Sequence, residues 1–218
     1  MSPTSSRSLP VVLGVVLAVL LAVSGASPYE RSTWLLEVAP ILIAVPVMLF
    51  SYRRFPLTPL LYSLIFLHAV ILLVGGAYTY ARVPLGFWMQ ELLGLDRNPY
   101  DKIGHFAQGL VPALVAREVL ARGDYVRGRK MLAFICLSIA MAISACYELV
   151  EWGAALALGQ GADEFLGTQG YVWDTQSDMW YALLGATASL LVLSRWHDRQ
   201  MAAVEPDGMN RKSPTSNT

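Results

Sequence analysis

Charge is what this sequence has least of. Asp, Glu, Lys and Arg make up only 15% of its 218 residues, while 55% are hydrophobic. A soluble domain carries about 25% charged residues, so the deficit excludes an ordinary water-soluble globule. Neither sign of charge is in excess, with 16 basic and 16 acidic residues, and the basic residues fall in short loops. That excludes a basic surface for nucleic acid. Cysteine is scarce as well. Cys136 and Cys146 lie ten residues apart in one apolar segment, about 15 Å along a helix, too far for a disulfide. Both read as packing residues. No internal repeat of the kind that builds many transporters is visible.

What is present is a series of apolar runs. They predict an all-α polytopic membrane helix bundle with spans at 9–23, 34–50, 59–76, 103–121, 131–152 and 178–195. Ser24-Gly25-Ala26 after the first run offers a signal-cleavage position. The run is long for a signal core and more spans follow, so it reads as the first span. Residues 84–95 are too short to cross and read as an amphipathic helix at the interface, with Phe87 and Trp88 among the headgroups. The expected organisation is one transmembrane domain over 1–202 and a disordered cytoplasmic tail over 203–218.

Charge placement orients the bundle. With the N-terminus in the cytoplasm, the inside segments hold Arg7, Arg53, Arg54, Arg117, Arg122, Arg127, Arg129, Lys130, Arg195, Arg199, Arg211 and Lys212. The outside segments hold Arg31, Arg82, Arg97 and Lys102. The bias predicts cytoplasmic termini. It also places three polar clusters at one depth near the extracytoplasmic face: Asp101, Lys102, His105 and Gln108; Glu148 and Glu151; Asp174 and Asp178. Asp101, His105 and Gln108 fall at i, i+4 and i+7, on one helical face.

Carboxylates and an imidazole at one depth are the ingredients of a divalent metal site for zinc, manganese, iron or magnesium. The expected ligands are Asp101, His105, Glu148 and Asp178, with Glu151 as the general base and the two glutamates' roles exchangeable. Lys102 or Gln108 would steady an anionic group, and Asp174 completes the polar site. Plainer readings stand beside these. Asp174, Ser177 or Asp178 could cap the sixth helix. Asp163 and Glu164 read as solvated loop acids. His68 reads as a satisfied interior group, and Arg117 with Glu118 as an interfacial pair.

The motifs Asp101-Lys102-x-x-His105-Phe106, Glu148-x-x-Glu151-Trp152 and Trp173-Asp174-Thr175-Gln176-x-Asp178 together resemble the YjdF family of bacterial inner membrane proteins, roughly from the second span to the sixth. That family is multi-span and of unknown function, so the resemblance implies location and fold but no reaction. The first motif is also similar to VanZ-like membrane proteins linked to glycopeptide-antibiotic resistance. Glutamine commonly stands there where this chain has Glu151, and the later motif differs. The site chemistry favours a metal-dependent hydrolase of a lipid or lipid-linked substrate, in contact with membrane lipids. A transporter or cation-binding protein, and a structural protein whose polar cluster locks helices, are the competing classes.

Overall fold

The computed structural model describes residues 3–158 and 169–204 and shows no strand among them. The elements are α1 (Pro3–Ala26), α2 (Arg31–Ser51), α3 (Pro59–Tyr78), a 3-10 turn (Tyr80–Arg82), α4 (Pro84–Leu93), α5 (Tyr100–Arg122), α6 (Arg129–Leu158) and α7 (Asp174–Ala188). A π-helical stretch (Ser189–Leu193) then leads into α8 (Ser194–Val204).

Four helices are long and apolar enough to cross a membrane: Ser8–Ala26, Arg31–Ser51, Pro59–Tyr78 and Arg129–Ala157. They bury little inside the protein, and α1 least, at 6% of its apolar window. Val11, Val15 and Val19 on α1 are exposed, which suits contact with lipid and not with water. α5 and the rod formed by α7 and α8 are more polar; α5 lies inside, and the rod buries one face against it while Trp180, Leu191, Val192 and Trp196 are exposed on the other. α5 is the hub, packed on α7, α6 and α3, so its charged residues face protein, as polar groups in a bilayer must.

Two kinds of packing meet at this hub. α1, α2 and α3 share an aliphatic core that includes Leu17, Val38, Ile41 and Leu73. α5, α6 and α7 instead meet through Ala113, Ala140 and Ala186. The approach of α5 to α7 is closer still. A Cβ on Gly109 would lie 1.8 Å from the Ala182 carbonyl oxygen, and one on Gly185 would lie 1.9 Å from that of Phe106. Two glycines thus bring the backbones together, the device that lets membrane helices pack without a hydrophobic driving force.

Local signals set the helix starts and stops. Thr58 caps α3 by accepting from the Leu61 amide, with Pro59 at the first helical position. α4 stops at Gly94, whose φ of 61° suits glycine. Before α2, Glu30 accepts from Ser32 Oγ and Thr33 Oγ1, which holds its carboxyl below the usual range.

Several expectations need correction. α6 starts at Arg129 and runs on to Leu158, past 152. The last rod begins at Asp174 and reaches Val204, well beyond 178–195 and into the expected tail. Neither Asp174, Ser177 nor Asp178 caps it; Trp173 holds the cap position without a side-chain bond. Cys136 is buried, but Cys146 is exposed. Arg117 and Glu118 are not an interfacial pair, because successive helical residues do not face each other. Both are buried and each bonds elsewhere. Asp163, Glu164, Arg211 and Lys212 lie outside the described residues.

Those two residues belong to a polar clamp that joins α3, α5 and α8. Glu118 Oε1 accepts from the Thr58 amide at 3.0 Å and from Arg122 at 2.6 Å. Its Oε2 accepts from Thr58 Oγ1 and from His197 Nε2, both at 2.8 Å. Arg117 reaches Asp198 at 2.6 Å and His197 Nδ1 at 3.3 Å. Every oxygen of Glu118 is therefore satisfied, as a buried carboxylate requires. His197 gives no periodic signal in the sequence, and its role shows only when α8 folds back on α5.

Candidate functional site

The first turns of α5 and α7 lie side by side because of the Gly109 and Gly185 contacts two turns further along. That register carries Asp178 to the face of α5 that bears Asp101 and His105. One ligand atom from each of Asp101, His105 and Asp178 falls within 4.8 Å of the others, and all three residues are buried. His105 Nε2 is 3.3 Å from Asp101 Oδ1 and 3.8 Å from Asp178 Oδ2.

The imidazole is oriented from its other side. Nδ1 lies 3.0 Å from the Gln108 side-chain carbonyl oxygen, an acceptor, so Nδ1 carries the hydrogen. Nε2 faces two carboxylates: protonated, it donates to Asp101, and unprotonated it offers its lone pair to a cation held between them. In that second form the ring has the tautomer and the outer-shell partner of a metal-binding histidine. Ligands of a tetrahedral ion at 2.0–2.2 Å lie about 3.4 Å from one another, close to the separations seen. Buried Asp101 Oδ2 and Glu148 Oε1 have no hydrogen-bond partner. An unsatisfied buried carboxylate oxygen costs at least about 1–3 kcal/mol; Asp101 Oδ2 has the Lys102 ammonium 3.5 Å away, and Glu148 Oε1 lies 3.8 Å from the Nδ1 edge of the ring.

The other expected residues fall around this centre. Glu148 is buried, but its Oε1 is 3.8 Å from Nδ1, the opposite edge of the ring, so it is not one of the three convergent ligands. Glu151, one turn on, is buried and lines the same cavity as Asp101 and His105. Lys102 donates to Asp178 Oδ1 and to Asp174 Oδ1 at 3.1 Å, and lies 3.5 Å from Asp101 Oδ2. Its single charge is shared among three carboxylates, and Asp178 Oδ2 is left turned to His105. Asp174 is held by Arg97 as well, at 2.5 Å. Gln108 is engaged by His105.

Residues 9–199 match the model of a family described as "Predicted membrane protein (DUF2238)". The chain belongs to the DUF2238 family. It is 64% identical over 187 residues to the inner membrane protein YjdF of Escherichia coli strain K12, covering 86% of this chain and 90% of that one. No solved structure matches. Membrane location and a helical bundle thus follow for this DUF2238 protein from the family and the helices together.

Sequence reading missed two members of the neighbourhood. Glu37 of α2 is 2% exposed and accepts from Tyr147 Oη of α6 at 3.1 Å. Tyr80 wedges its ring between Gly75 of α3 and Gly104 of α5. A charged residue inside an apolar run was the available signal for Glu37. It is the fourth residue of the expected span 34–50, and its burial follows from the packing of α2 on α3.

Proposed function

We propose that this DUF2238 protein is a membrane-embedded, metal-dependent hydrolase of a lipid or lipid-linked substrate, working at the extracytoplasmic face. The observation that carries the reading is the convergence of His105, Asp101 and Asp178, whose ligand atoms lie within 4.8 Å of one another in a buried site. Asp101, His105 and Asp178 would hold the ion. Three protein ligands with one open position is the pattern of a catalytic rather than a structural site. A divalent cation there would supply an activated water and stabilise developing negative charge. Glu151, on the cavity side, would serve as the general base. Lys102 holds Asp178 in place through its ion pair, and Gln108 fixes the imidazole. The charge bias of the loops puts this end outside and both termini in the cytoplasm.

The test is metal content. Protein purified in mild detergent should carry about one transition-metal equivalent per chain, and His105→Ala should lose it while remaining folded. Glu151→Gln should keep the metal and fail to restore the lipid profile of a deletion strain. Wild type without metal, together with full complementation by both variants, would leave helix locking by the Lys102 and Arg97 ion pairs as the better account.

A further inference from the structure

α2 and α6 touch each other only sparsely. A cavity of about 750 Å³ lies between them, backed by α3 and α5. On α2 it is lined by Glu37, Ile41, Ala44, Met48 and Ser51, one helical face spanning about 21 Å. On α5 the lining runs from Asp101 and His105 through Val115 to Val119. Half of a hydrocarbon core of about 30 Å is about 15 Å, so the slot reaches past the bilayer midplane. Its polar end is the His105 centre; beyond that end the wall is almost wholly apolar, with His68 and Ser51 the exceptions. Among the described residues, the side-chain hydrogen bond that ties α2 to α6 is Tyr147 to Glu37, at that same end.

We propose that this slot holds one hydrocarbon chain of a membrane lipid, which enters sideways between α2 and α6 and carries its polar group to the His105 centre. The solvent at this depth is lipid, and an aliphatic cavity there fills with hydrocarbon, not water. The volume is within the range of sites that bury one lipid-sized ligand, about 300–1,000 Å³. The slot is elongated along the helix axes, matching an extended chain lying parallel to its neighbours in the bilayer. The Tyr147–Glu37 bond closes the slot at the headgroup end, so the chain threads below it. The placement of the polar group rests on the metal-site reading; the seat of the chain does not.

Native mass spectrometry of the full chain tests this. Protein in a bile-salt detergent is titrated with palmitoyl lysophosphatidylglycerol. Wild type should retain one lipid at low ratios. Ala44→Trp and Val115→Trp, which fill the slot from opposite walls, should weaken retention by about tenfold, because fewer chain methylenes are then buried. Leu49→Trp, on the exposed face of α2, should retain it as wild type does. Thermal unfolding in the same detergent confirms that each variant is folded, and Val115→Phe serves if the tryptophan variants are not. His105→Ala should keep the chain while losing metal. Lipid retained by a metal-free wild type would end the metal reading and leave the chain's seat standing. Equal retention by wild type and folded slot-filled variants, or none by wild type, overturns the proposal.

Discussion

His105 shows how much a single side chain depends on its two edges. Gln108 claims Nδ1 and two carboxylates face Nε2. Gln108→Leu should therefore leave all three ligands present yet weaken metal binding by about 10–100-fold, the usual effect of removing an outer-shell partner; a metal titration of the purified variant measures it. Lys102 makes the opposite case, since it touches no reacting group and holds carboxylates together. Lys102→Met leaves Asp174 to Arg97 but strips Asp178 of its bonded cation. Breaking a buried pair this way costs about 3–5 kcal/mol. Thermal unfolding in detergent should show that loss in metal-free protein, and added zinc or manganese should restore part of it.

At the scale of elements, the site exists because α5 and α7 touch backbone to backbone. Gly109→Val puts a side chain where the Ala182 carbonyl already stands. Separating the helices should cost about 3 kcal/mol or more and abolish metal binding, although residue 109 touches no ligand. The clamp at the other end separates stability from site chemistry. His197→Ala leaves one Glu118 oxygen short of a donor and should destabilise by about 2–3 kcal/mol with metal stoichiometry unchanged, read by unfolding and metal analysis together. This asymmetry explains what was legible in the sequence. The i, i+4, i+7 spacing of Asp101, His105 and Gln108 is a property of one helix, so sequence alone gave their shared face. The arrival of Asp178 was inferred from depth. That Glu148 turns to the far edge of the imidazole, that Glu118 pairs with His197 and that Glu37 meets Tyr147 all depend on rotations of helices about their axes. Periodicity does not carry that information when nearly every position is apolar.

On the scale of the whole molecule, four of the six expected spans were readable because hydrophobic length is a one-dimensional property; those at 103–121 and 178–195 form helices too polar to meet that measure. Their orientation is tested by reporters. Fusions after Arg54 and Lys130 should report cytoplasm and a fusion at Asp96 should report the outside; a cytoplasmic Asp96 would put the His105 centre on the wrong face. The position of α5 has a further consequence for how the protein is made. Asp101, Lys102, Arg117 and Glu118 sit in one helix, and each charged residue opposes partition into a bilayer by up to about 2.5–3.5 kcal/mol at the centre. The partners that satisfy them, Asp174, Asp178, His197 and Asp198, are translated last. A nascent chain that ends at Leu158 therefore has no stable way to leave its fifth helix in lipid. Insertion of α5 should therefore wait for the C-terminal rod, and a chain truncated at Leu158 should be degraded faster than the full chain, which pulse-chase labelling measures.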